Sequence, residues 1–138
     1  MMGALRTVRL ILFAMLFSIV IYAVVGEVVG PRLTTGANTL YAISFASISL
    51  VGAILVVRKT LVLQSEVELR SKPGDAVLVA RWRTGYLVTY ALCEALALFG
   101  LLLRLMGFTL SSVWPYYAGS AVLMLLFWPR MPQQAANR

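Results

Sequence analysis

Glu94 is the residue of this chain whose type and position most demand a chemical explanation. It lies midway between Arg83 and Arg104 in a run that is otherwise free of charge. If that run crosses a bilayer, the carboxyl sits near the centre. A charge there costs roughly 2.5–3.5 kcal/mol on insertion scales, and an ionisable group at that depth is by default a functional hypothesis. Two chemistries are open. A protonated carboxyl can hydrogen-bond between helices and act as glue. Alternatively, the group binds a proton or cation, or contacts a polar ligand. Hydroxyls at similar depth are those of Ser18, Ser44, Ser47 and Ser120, and no Lys or Arg lies there to pair with it.

The other chemistry-bearing residues are few. Glu27 and Arg104 fall at matching outer positions and are expected to form an ion pair, with Arg32 competing; such a pair contributes little when solvated. The single cysteine, Cys93, excludes an internal disulfide and a Cys-cluster metal site, and reads as an inert buried thiol. There is no histidine, which removes His-ligated haem, the usual zinc and copper sites and every His-based triad. No cofactor, metal or catalytic set is expected, and the chain is not expected to be an enzyme.

The elements that must position Glu94 follow from composition. In 138 residues, 61% are hydrophobic and only 12% charged, against about a quarter charged in a soluble protein. Mean hydropathy is +0.88. A chain of this size forms one domain and cannot hide that much apolar surface inside it, so the excess must face lipid. Charge-free runs then define four helices, at about 9–29, 37–57, 84–105 and 111–128, each near the roughly 20 residues that cross about 30 Å of hydrocarbon. Alternating barrel patterning is not seen, so the expected fold is all-α, an integral membrane four-helix bundle over residues 1–138. The first run is too long for a signal-peptide core and is followed by no clean small-x-small cleavage site, so it reads as a retained helix.

Orientation follows from the twelve basic residues. Arg6, Arg9, Arg58, Lys59, Arg70, Lys72, Arg81, Arg83, Arg130 and Arg138 fall on one side, and only Arg32 and Arg104 on the other. That bias predicts both termini in the cytoplasm. Interfacial aromatics agree: Trp82, Tyr86 and Trp128 mark the inner boundary, Trp114, Tyr116 and Tyr117 the outer. A net charge of +7 and a pI near 10.2 are thereby assigned to topology, with no nucleic-acid partner expected.

Residues 58–83 form the one sizeable polar loop. Lys59 to Leu69 reads as an extension of the second helix, although the alternation in TLVLQSEVELR also fits a short strand. Pro73-Gly74-Asp75 reads as a turn, with Asp75 capping a lead-in to the third helix. The halves look related: Arg6-Thr7 through Gly30 aligns without gaps on Arg83-Thr84 through Gly107, which implies two parallel helical hairpins about an axis along the membrane normal. Small residues stripe the third helix at Gly85, Thr89, Cys93, Ala97 and Gly100, and the second at Ala42, Ala46, Ser49 and Ala53. Such stripes let helices pack closely or dock another subunit.

Two resemblances attach to the third helix. Glu94-Ala95-Leu96-Ala97-Leu98-Phe99-Gly100-Leu101 resembles the carboxylate-bearing helix of the ATP synthase rotor-ring c subunit, and over these residues the resemblance implies a proton site at Glu94. In that family the carboxylate lies on the second helix of a hairpin beside a glycine-rich partner; here it is on the first helix of its half. Arg83-Thr84-Gly85-Tyr86 and Ala91-Leu92-Cys93-Glu94-Ala95 resemble the third helix of small, uncharacterised bacterial four-helix membrane proteins, which implies a bacterial inner membrane and brings no activity. The expected role is a non-catalytic structural or accessory subunit of a membrane complex, partnered by the bilayer and by other subunits or copies of itself. The alternative is an ion-coupled transport element that uses Glu94. A third option is a protein that binds lipid or quinone at its aromatic boundaries.

Overall fold

A computed structural model of the chain describes residues 2–32 and 34–130; Arg138, one of the basic residues assigned to the inner side, lies outside them. The order is α1 (Met2–Val29), α2 (Ala37–Val57), a π-helical segment (Arg58–Leu63), α3 (Gln64–Ser71), α4 (Ala76–Leu105) and α5 (Leu110–Leu126), with no strand among the described residues. The alternation in 60–70 therefore does not make a strand. Three rods, α1, the continuous run Ala37–Ser71 and α4, are long and apolar enough to cross a membrane. The fourth, α5, has 17 residues and carries Pro115 inside it.

Two boundaries differ most from the pattern of charges. The segment expected as a loop over 58–83 is helical on both limbs, because charge marks where hydrocarbon ends and not where hydrogen bonding ends. At 1.5 Å per residue, the 35 residues of Ala37–Ser71 run about 52 Å, well past the hydrocarbon. α4 likewise starts at Ala76, ahead of residue 84. Asp75 caps it, accepting from the amides of Val77 (2.9 Å) and Leu78 (3.3 Å), while Gly74, at φ +95°, makes the turn. α1 starts at Met2 instead of residue 9, and α5 stops at Leu126, two residues before the expected end.

Contacts fix the directions. Tyr22 with Glu94 and Glu27 with Arg104 pair α1 and α4 in parallel. Ser120 with Cys93 and Tyr90 with Phe127 pair α5 and α4 antiparallel. The Pro73-Gly74 turn folds α4 back against the π segment and α3. α4 touches every other element, and its most apolar stretch is 44% buried against 17% for α1 and 11% for the Ala37–Ser71 rod. Trp82, Tyr86, Tyr90, Cys93, Ala97 and Leu103 line its inward face. The outer surfaces carry Phe13, Phe17, Phe45, Ile48 and Leu126 in the open. An apolar surface this broad fits lipid and not water.

Small residues on α4 stand where backbones meet. A Cβ on Gly85 would lie 2.8 Å from Val62 Cγ2 and 2.9 Å from Leu61 Cβ, on the π segment; one on Gly100 would lie 2.9 Å from Tyr116 Cβ. Cys93 and Ala97 between them are fully buried. On α2 the stripe differs: Ala42, Ala46 and Ala53 are exposed, and a Cβ on Gly52 would meet nothing within 4 Å. Gly85→Ala and Gly100→Ala are expected to lower thermal stability in detergent by about 1–3 kcal/mol through overpacking, while Gly52→Ala is neutral or mildly stabilising. Melting curves of the three purified variants check this, and equal tolerance of all three would contradict it.

Candidate functional site

Glu94 sits on the seam between α1 and α4, eleven residues after Arg83 and ten before Arg104, so about 15–17 Å of helix separates it from either. Its Oε1 accepts a hydrogen bond from the Tyr22 hydroxyl at 2.6 Å. Both side chains are half-buried. The distance is that of a strong O–H···O contact with a carboxyl oxygen. It ties α1 to α4 about midway along the apolar run of α4.

None of the four serines at similar depth meets Glu94. Ser18 donates back to the carbonyl of Ala14 (3.1 Å) and Ser47 to that of Ile43 (2.7 Å), each within its own helix. Ser44 pairs with the Tyr116 hydroxyl at 2.9 Å, joining α2 to α5. Ser120 donates to the Cys93 carbonyl at 2.5 Å, joining α5 to α4. Tyr22 was missed because a serine hydroxyl stays at the depth of its own Cα and a tyrosine hydroxyl does not. Tyr22 follows Ser18 by one helical turn, and helical side chains lean toward the N-terminus. Its ring thus carries the hydroxyl down to Glu94. The signal available in the sequence was this i, i+4 relation to a residue already at the right depth.

Arg104 lies near the end of α4 and forms a two-pronged pair with Glu27: Nε to Oε1 is 2.8 Å and Nη2 to Oε2 3.2 Å. Arg32 is not in the pair; its amide instead donates to the carbonyl of Leu105. A third arm of Arg104, Nη1, donates to the Phe108 carbonyl at 3.1 Å, which fastens the α4–α5 turn. Gly26 makes room, since a Cβ there would lie 3.2 Å from Arg104 Cγ.

At the opposite end Glu66 accepts from Trp82 Nε1 and from the Tyr86 hydroxyl, both at 3.3 Å, and the Tyr90 hydroxyl donates to the Phe127 carbonyl at 2.9 Å. Among the described residues no group of three or more His, Cys, Asp or Glu side chains gathers as a metal site would require. No protein-family profile, curated protein or solved structure matches the chain.

The Tyr22–Glu94 contact predicts measurable coupling. In a double-mutant cycle of Tyr22→Phe and Glu94→Leu, followed by unfolding in detergent, a coupling of about 0.5–2 kcal/mol is expected, as for buried interhelical hydrogen bonds. Additive losses would show that the two side chains do not meet in the folded protein.

Proposed function

We propose that the chain is a four-helix bundle in a bacterial inner membrane with both termini cytoplasmic, acting as a non-catalytic structural or accessory subunit of a membrane complex. The observation that carries this reading is a set of three side-chain hydrogen bonds that join neighbouring helices. Tyr22 is spent on Glu94, Ser44 on Tyr116, and Ser120 on the Cys93 carbonyl. These contacts are the interhelical hydrogen bonds that hold bundles together in lipid. The basic residues at one end support the orientation: Arg9 and Arg58 stand over Trp128 and Phe127, while Glu27 and Arg104 pair at the other end. On this reading α5 crosses as the short fourth helix, and the bilayer is joined by other subunits or copies of the chain as partners.

The half-burial of Glu94 favours a second reading, an ion-coupled transport element. A carboxyl on an outer seam, hydrogen-bonded on one oxygen only, retains a second oxygen for a proton or cation. The resemblance of its surroundings to the rotor-ring c subunit points the same way.

Glu94→Gln separates the two. Glutamine keeps the shape and accepts from Tyr22, but cannot ionise. The accessory-subunit reading expects assembly, stability and partner activity to survive, with only slow carbodiimide labelling of Glu94 in the native protein. Loss of an ion-coupled activity in a well-assembled Glu94→Gln protein would overturn it. For orientation, in a chain whose Cys93 is replaced by Ala, a cysteine introduced in 70–75 is expected to label only from the cytoplasmic side. One at Thr34 should label from outside, and the reverse pattern would contradict the topology.

A further inference from the structure

α4 is touched by every other element, yet one of its faces is left uncovered. No Cα of α1 comes within 8 Å of one on α2, although both helices pack on α4. α5 closes the far side, contacting α1 and joined to α2 through Tyr116 and Ser44. With three sides taken, a groove runs between α1 and α2 with α4 as its floor. Thr84, Ala91 and Leu98, spaced seven apart and so on one face of the helix, are exposed along that floor. Thr84 and Ala91 are small enough to let another backbone approach.

Glu94 stands at the edge of this floor, three residues after Ala91 and four before Leu98, where α4 meets α1. Tyr22 donates to its Oε1. Oε2 has no partner and is not enclosed: the unpartnered buried side-chain atoms among the described residues belong to Arg58, Ser65 and Tyr117. On the membrane reading, a carboxyl oxygen open at mid-span meets neither water nor a lipid donor, and a hydrogen bond left unmade there is costly. Protonation does not remove the cost, because the O–H then needs an acceptor. The groove therefore calls for a group that both donates and accepts at the depth of Glu94. A second copy supplies one. A twofold axis along the membrane normal sets each residue at the same depth as its own copy and makes the contact isologous.

We propose that two copies of the chain pair across this groove, α4 against α4. Each Glu94 carboxyl donates to the other and accepts from it, while Tyr22 holds each Oε1 from its own side. Such a two-bond pair of acids leaves no carboxyl oxygen open. The pairing rests on the reading of copies of the chain as partners, and it names the face they use.

The test uses the full chain with Cys93 replaced by Ala, in phosphatidylcholine vesicles at several lipid-to-protein ratios. Ala91→Cys and Leu98→Cys are expected to form disulfide-linked dimers on mild oxidation, because each residue meets its own copy. Ile48→Cys, exposed on α2, should stay monomeric. Dimerisation is read by energy transfer between dyes on a cysteine placed in 70–75. It should weaken about tenfold in Glu94→Leu, the scale of interhelical hydrogen bonds in model helices, and little in Glu94→Gln, since a carboxamide also donates and accepts. Tyr22→Phe breaks the same contact within the chain as Glu94→Leu but keeps the open carboxyl, so it should dimerise nearly as the parent does. Ala91→Leu changes only an exposed side chain and should weaken the dimer by blocking close approach, which tests the face even if Glu94→Leu does not fold. Undiminished dimerisation in Glu94→Leu or Ala91→Leu would overturn the proposal. Crosslinking at Ile48→Cys in place of Ala91→Cys would overturn this face and leave copies as partners standing. A chain that is monomeric at every ratio would overturn both, leaving lipid or another subunit as the occupant.

Discussion

Two apolar helices in hydrocarbon gain nothing by leaving lipid for each other, so association has to come from close packing and from hydrogen bonds. α4 supplies both along one face. Gly85 and Gly100 let the π segment and α5 approach to distances that a methyl group would block. Between them, the Cys93 carbonyl and the Glu94 carboxyl accept from α5 and α1. The other helices are arranged by this face. α1 and α5 pack on it and against each other, and α2 and the π segment that continues it also pack on it. That explains why α2 is so sparsely buried, with only Ser47 and Ile54 inside. It also explains why Gly85 sits opposite the one stretch of irregular helix: the π turn swells the backbone of Leu61 and Val62 toward α4, and only a residue without a side chain accommodates it.

The relation between α1 and α4 gives the molecule an internal echo. The helices lie side by side and parallel, and residues 77 apart in sequence, Glu27 and Arg104, meet. Both helices end at a glycine in the left-handed region, Gly30 at φ +65° and Gly107 at φ +98°. After α4, the amides of Gly107 and Phe108 turn back to the carbonyls of Arg104 and Leu103, the pattern that closes a helix when a glycine can take positive φ. The same alignment that sets an acid against a base at the ends brings Tyr22, one turn above Ser18, onto Glu94. End pair and mid-depth pair thus lie on one seam.

Much of this was legible in the sequence because charge, glycine and proline act locally. The hydrophobic runs located the rods, Asp75 and Gly74 announced a cap and a turn, and Gly30 and Gly107 marked two helix exits. What escaped was decided by side-chain reach or by packing between distant segments. Tyr22 lies too far from mid-depth by residue count, and only the tilt of a helical side chain brings its hydroxyl down. The π segment has no composition signal in RKTLVL, since its geometry is set against Gly85, more than twenty residues later. The helical limbs of 58–83 look like a loop because they are polar, and polarity alone does not separate a loop from a solvated helix.

The parallel seam between α1 and α4 is what places Glu94 against Tyr22 and separates the two ends electrostatically, and disulfide crosslinking reads it directly. With Cys93 replaced by Ala, cysteines are introduced in pairs and oxidised in native membranes. A Cβ at position 26 lies 3.4 Å from Leu101 Cδ1, so the 26–101 pair is expected to crosslink rapidly within one chain. The 4–101 pair, at opposite ends of parallel helices, is expected to stay reduced. Rapid closure of 4–101 with none at 26–101 would show the helices to be antiparallel and contradict the account.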